Sequence, residues 1–254
     1  MRVRTTTGTR IRAALLAGWA VALGGAGPAP ALGQGVPEWA VDHTASSIWV
    51  TTESSGLLGF LGHDHAILPA DWSAELCLTE PLGEGSRATL TLATASLEVD
   101  TEAALAVAGM DDGPGEEDRR EIREKMLSPR YLAAEEHPGI RLEVRAAGPA
   151  GEGSLPAMAT LHARGASVEV EVPVEVERDG GRMTFRGEAE VRQTSLGMEP
   201  ESVAGVVNVA DEVTLHFDLV AEPTGERCGA EGAREHTGPL TGRRAGSGGG
   251  CRRP

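Results

Sequence analysis

The sequence predicts an all-β domain: about eight strands forming an antiparallel barrel or sandwich, with one inserted helix. Apolar and polar residues alternate with a period of two through most of the region 37–222. Turn-forming stretches separate the alternating runs, among them "PLGEGS", "AAGPAGEG", "HARGAS" and "RDGG". One segment, from Gly115 to Pro138, breaks the alternation with apolar residues at helical spacing.

The strands follow in order. "SSIWVTTES" sets Ile48, Val50 and Thr52 on one face, and "WSAELCL" does the same with Trp72, Ala74, Leu76 and Leu78. "ATLTLATASLEV" alternates Leu90 and Leu92 with Thr89 and Thr91, and "IRLEVRA" places Ile140, Leu142 and Val144 together. The helix lies before that strand, over 116–127, where acids cluster at the start, Ile122, Met126 and Leu127 share a face, and Pro129 ends it. It is placed to cover one end of a barrel. The preceding "TEAALAVAGMDDGPG" reads as a short helix or a loop. "LPAMATLHA" is a less regular strand. "SVEVEVPVEVE" is the clearest one, with Val168, Val170, Val172, Val174 and Val176 opposed to Glu169, Glu171, Glu175 and Glu177. "RMTFRGEAEVR" aligns Met183, Phe185, Gly187, Ala189 and Val191, and "EVTLHFDLV" aligns Val213, Leu215, Phe217 and Leu219.

The termini read differently. Arg2, Arg4, Arg10 and Arg12, a short apolar run and the Ala29-Pro30-Ala31 site describe a secretory signal peptide over 1–31. The run is shorter than the roughly 20 apolar residues a span needs, so no stable membrane insertion is expected after cleavage. The expected location is periplasmic or secreted. The folded domain is expected over 37–222, and 223–254 has too little to bury and reads as a disordered tail.

The net charge is −15, from 38 acidic and 23 basic residues, with Lys125 the only lysine. Such a chain is repelled by nucleic acid, and its bases form no stripe. Cys77, Cys228 and Cys251, an odd count with two in the tail, make no disulfide framework; an exported setting would permit a Cys228–Cys251 bridge within the tail. Cys77, on the outward phase of its strand, shows no catalytic partner, and no Ser/His/Asp signature is present. The chain reads as a non-enzyme.

"GFLGHDHAIL", residues 59–68, is the unusual stretch. In an extended segment His63 and His65 share a face and Asp64 takes the other. Two imidazoles supply two metal ligands, and a zinc site wants a third; Asp42, His43, His137, His162 and His216 are candidates that spacing does not separate. The other readings are hydrogen bonds near a barrel mouth or a contact to a lipid head group. Leu57, Leu58, Phe60 and Leu61, bracketed by glycines, form either a gate at that mouth or a closing turn.

Several stretches together resemble the YceI family of periplasmic lipocalin-like barrels. They are "EWAVDHTASSIWV", "GHDHAILPADWSAEL", "ATASLEVD", "IREKMLSPRYLAAEEHPGIRLEV", "ATLHARGASVEVEVPV" (Ala159 standing at a family glycine) and "RQTSLGMEPESVAGVVNVADEVTLHFDLVAE". The order matches over 37–222. The chain departs at "TSLG", Ser195-Leu196-Gly197, where the family carries Asp-Phe-Gly, and in its aromatic content of 3%.

The resemblance implies an eight-stranded antiparallel barrel holding a polyisoprenoid or similar amphiphilic lipid, with no enzyme activity. Small residues at inward phase (Ala74, Ala88, Ala157, Ala159, Gly187, Ala189) suit such a cavity; the alternative is a solid core. The ligand-contacting residues are then Ile48, Val50, Leu57, Leu58, Phe60, Leu61, His63, His65, Trp72, Leu90, Leu92, Met183, Phe185 and Phe217. The competing functions are a metal-binding protein using His63 and His65, and a ligand-free stress-associated adaptor. A homodimer is compatible with the sequence.

Overall fold

The computed structural model describes residues 35–55, 64–200, 202–203 and 207–229. It contains β1 (Pro37–Val41), β2 (Ser47–Ser55), β3 (His65–Pro69), β4 (Trp72–Cys77), β5 (Arg87–Ala93), β6 (Leu97–Val99), α1 (Glu102–Ala108), α2 (Glu116–Leu127), β7 (Gly139–Ala146), β8 (Ser154–Ala163), β9 (Ala166–Asp179), β10 (Arg182–Arg192), β11 (Ser202–Val203) and β12 (Val207–Arg227).

Three pairs of these strands are halves of single bent staves. β1 and β2 are parted by residues 42–46, β3 and β4 by Ala70 and Asp71, and β5 and β6 by a 3-10 turn at Thr94–Ser96. With β7, β8, β9, β10 and β12 they make eight antiparallel staves, each beside its sequence neighbours. Closure comes from β12. Its first part pairs with β2 (Phe217 opposite Ile48) and its last part with β1 (Ala221 opposite Val41, Arg227 opposite Pro37). A closed ring leaves no free sheet edge at this junction.

Buried side chains bend the staves. Thr94 is 1% exposed, and its hydroxyl donates to the His137 carbonyl at 2.6 Å. The Ser46 hydroxyl accepts from the Val220 amide at 2.9 Å, replacing a ladder bond where β1 gives way to β2. The period-two reading finds the strand faces correctly and reads through these bends, because apolar residues continue inward on both sides of each.

Two apolar clusters occupy the barrel ends. Trp39, Leu76, Leu78, Leu82, Leu155, Met183, Phe185, Leu219 and Ala221 fill the end where the chain enters. Tyr131, Leu161, Ala163, Val191, Leu196 and Met198 fill the other end on the side of β8 and β10. The Arg164 guanidinium reinforces that second end by donating to the carbonyls of Gly197 and Pro129.

The helix expected over 116–127 forms with those bounds, with Glu116, Glu117 and Asp118 in its first turn and Lys125 in its last. It packs on β6, where Arg123 donates to the carbonyls of Leu97 (2.7 Å) and Ala95 (2.6 Å) and Arg119 to that of Asp100 (3.1 Å). The chain just after it delivers Tyr131 to the barrel end. The ambiguous segment before it forms α1, capped by the Thr101 hydroxyl, which accepts from the Ala104 amide at 3.2 Å.

Two expectations are corrected. The ordered chain does not stop at 222: β12 runs on to Arg227, with Pro223 opposite Trp39, because β1 offers it a partner that the tail's composition did not reveal. Cys228 does not bridge to Cys251. It forms a disulfide with Cys77, with Cα atoms 5.9 Å apart and 151 positions between them in sequence. β1 lies between the two cysteines' strands, so the bond staples β4 to the end of β12 across the closing seam.

Replacing Cys77 and Cys228 together by Ala releases that long loop in the unfolded chain and should lower stability by about 2–4 kcal/mol. Thermal unfolding of oxidised wild type against the double variant measures it; equal melting temperatures would show that the staple contributes nothing.

Candidate functional site

The barrel interior is lined by aliphatic side chains. Between the end clusters lies a cavity of about 30 Å³, bounded by Leu142, Val144, Ala159, Leu161, Val170, Val172, Ala189, Val191, Leu215 and Phe217. No polar side chain contributes to it. Around and beside it Trp72, Ala74, Ala88 and Leu92 point inward yet stay part-exposed, so the interior holds more free surface than this cavity alone. Alanine and glycine at inward positions leave that room. Phe217 occupies part of it, crossing to the opposite strand over Gly187, where an added Cβ would lie 2.6 Å from the Phe217 Cζ. Phe217 and Gly187 are therefore a fitted pair, a large ring over a bare backbone.

The rim carries the polar chemistry. His65 opens β3 opposite Thr52, on the face that Val50 and Ile67 share. Its Nδ1 lies 2.6 Å from a carboxyl oxygen of Asp100, while the other oxygen accepts from the Ala66 amide at 2.8 Å. Asp100 is fully buried and holds a left-handed backbone at φ 48°, with its own amide donating to the Ala66 carbonyl at 2.8 Å. Aspartate tolerates that conformation better than most residues, and a buried carboxyl needs such partners. With Nδ1 committed to Asp100, any further bond from His65 uses Nε2. This carboxyl–imidazole arrangement also orients histidines that bind metals or polar groups.

The other histidines are dispersed. His43 packs on Trp72 with ring centroids 4.3 Å apart. His162 bonds Ser167 at 2.8 Å. His216 faces outward, stacked on Trp49 at 5.0 Å, 3.0 Å from the Thr51 hydroxyl and 3.5 Å from Glu188. Burial pushes the His216 pKa below its usual value, and Glu188 opposes that shift. Among the described residues no three His, Cys, Asp or Glu side chains gather as a metal site.

The description of a YceI-like domain matches residues 39–221. The chain belongs to the YceI family. Among solved structures, Burkholderia cenocepacia BcnA superposes with a TM-score of 0.54 at 20% identity, covering 71% of this chain and 98% of that one. A Campylobacter jejuni YCEI protein gives a TM-score of 0.48 at 12% identity, covering 63% of this chain and 85% of that one. No curated protein matches. The BcnA likeness establishes a shared closed barrel.

Within this YceI barrel the expected ligand-contacting residues separate into groups. Phe217 lines the cavity. Trp72 and Leu92 are inward and part-exposed, and Val50 lies opposite Leu215. Ile48, Leu90, Met183 and Phe185 are buried in the packed end cluster. Leu57, Leu58, Phe60, Leu61 and His63 lie outside the described residues. The remaining cavity wall, from β7, β8, β9 and β10 with Leu215 of β12, was not among the candidates, although the phase of "IRLEVRA", "SVEVEVPVEVE", "RMTFRGEAEVR" and "EVTLHFDLV" points to it. Asp100 was missed as well, since nothing in "SLEVD" says that its carboxyl reaches a histidine 35 positions earlier.

Replacing Asp100 by Ala orphans the buried Ala66 amide and forces a Cβ-only residue into left-handed backbone, so stability should fall by about 3 kcal/mol. Asp100→Asn keeps an acceptor and tolerates the backbone, and should cost clearly less. Urea unfolding of the two variants decides the point; wild-type stability in Asp100→Ala would mean that the carboxyl bonds are unimportant.

Proposed function

We propose that this YceI protein is an exported carrier that holds a long-chain lipid, polyisoprenoid-like or fatty, in the barrel with its polar head at the rim. The observation that carries the reading is the cavity in mid-barrel whose wall is entirely aliphatic apart from Phe217. Such a wall offers no directional bonds and suits a hydrocarbon, each buried methylene of which contributes about 0.8 kcal/mol. At about 30 Å³ the cavity takes a small group only, so a chain must displace movable side chains, Phe217 first. His65, oriented by Asp100, supplies a polar contact for a head group.

Export is supported by two features. The Cys77–Cys228 disulfide persists in an oxidising compartment. The sequence of the first 31 residues has the basic, apolar and small-residue parts of a signal peptide. Among the described residues no helix is long and apolar enough to cross a membrane.

A second reading, metal binding through His65 with His63, draws on the same His65–Asp100 bond. Elemental analysis of wild type against the His63→Ala, His65→Ala double variant separates it; equal metal content removes it.

Mass spectrometry of an organic extract of the purified protein should find a long-chain lipid, and Ala189→Leu, which fills the cavity wall, should reduce its amount severalfold. An extract without such lipid, from a protein that also takes up none when supplied, would end the lipid reading.

A further inference from the structure

β9 and β10 form a hairpin that is zipped along only half its length. Gly180 and Gly181, at φ 54° and 93°, make its two-residue turn. From there the pairing runs Asp179–Arg182, Arg178–Met183, Glu177–Thr184, Val176–Phe185 and Glu175–Arg186. Both strands continue, β9 back to Ala166 and β10 on to Arg192, held on their outer sides by β8 and β12. Among the described residues, no pairing joins them to each other over that remaining length.

The sequence explains where the zipper stops. Pairs flanking a two-residue turn exchange both backbone bonds, and every second pair after it does the same. That assigns two bonds each to Asp179–Arg182, Glu177–Thr184 and Glu175–Arg186. The next such pair in register is Pro173 with Glu188, and proline has no N–H to give. The one after is Glu171 with Glu190, and like charges directly opposite destabilise a sheet. In the zipped half the charges agree instead, with Arg186 3.1 Å from Glu177. The strands still lie close at the break, since a Cβ on Gly187 would sit 3.0 Å from the Pro173 carbonyl oxygen.

Behind this unbonded seam lies the cavity. Val170 and Val172 on one strand and Ala189 and Val191 on the other line it. Among the described residues, the Trp39–Leu155 cluster packs one end of the barrel near it, and the Tyr131–Leu196 cluster packs the other on the side of β8 and β10. Every other junction between the staves that wall the cavity is hydrogen-bonded along the cavity's height.

We propose that the seam between Ala166–Pro173 and Gly187–Arg192 is the lateral portal through which an apolar chain reaches the cavity, an inference that rests on the lipid-holding reading. Passage there breaks no ladder bonds. The missing N–H of Pro173 and the facing Glu171 and Glu190 disfavour zipping.

Stopped-flow uptake of the fluorescent fatty acid cis-parinaric acid tests the portal on the full mature chain. Glu171→Arg and Glu190→Arg each place opposite charges across the seam, and each should slow uptake about fivefold while leaving equilibrium occupancy nearly unchanged. The double substitution restores a like-charge pair, so its rate should return to that of wild type. Equal rates in all four proteins would overturn the portal while leaving lipid binding intact. If wild type takes up no probe, the lipid-holding reading falls and the portal with it. Amide exchange gives a measure free of ligand: Glu169, Glu171, Glu188 and Glu190 should exchange far faster than Glu177 and Thr184. Equal protection of the two sets would show a closed wall and overturn the proposal.

Discussion

The barrel depends on one strand having two partners. β12 pairs with β2 along its first part and with β1 along its last, and only that double pairing turns a meander into a ring. Ring closure fixes which side chains look inward, and so it creates both the apolar interior and the bends in the first three staves. Ser46 and Thr94 mark the cost of closure: polar groups buried to supply hydrogen bonds that bent strands cannot make for themselves.

The interior and exterior then follow different rules. Inward positions carry alanine and glycine among larger aliphatic neighbours, with Phe217 fitted over the bare backbone of Gly187. Outward positions are organised by charge. Arg186 bridges Glu177 and Asp218, Arg192 meets Glu212, and Arg182 meets Glu222 and Asp42. Exposed pairs of this kind contribute little each. In the zipped half of the β9–β10 hairpin they agree with the register, Glu175 standing opposite Arg186.

Much of the fold was legible in the sequence because burial on one face of a strand imposes a period that survives in the residues themselves. Val168 to Val176 and the helix over 116–127 declare themselves in this way. What stayed hidden depends on contacts between distant segments. Cys228 looked like tail because Pro223 and Gly225 ended the apolar pattern, whereas its order comes from β1, almost two hundred positions earlier. Asp100 looked like the end of a strand, and its role needs His65 beside it. The half-zipped hairpin was written in plain view, in Pro173, Glu171 and Glu190, but it becomes readable only once Gly180 and Gly181 fix the register.

The staple at Cys77 and Cys228 also gives the barrel a direction. His65 and Cys77 belong to the same bent stave and mark its opposite ends. One end of the tube is welded by a covalent bond; the other is held by the side-chain bonds of His65 and Asp100. The break in the β9–β10 ladder starts in mid-wall and runs toward the unwelded end. A tube built this way has a covalently fastened, packed base, whereas its opposite end is fastened by hydrogen bonds alone.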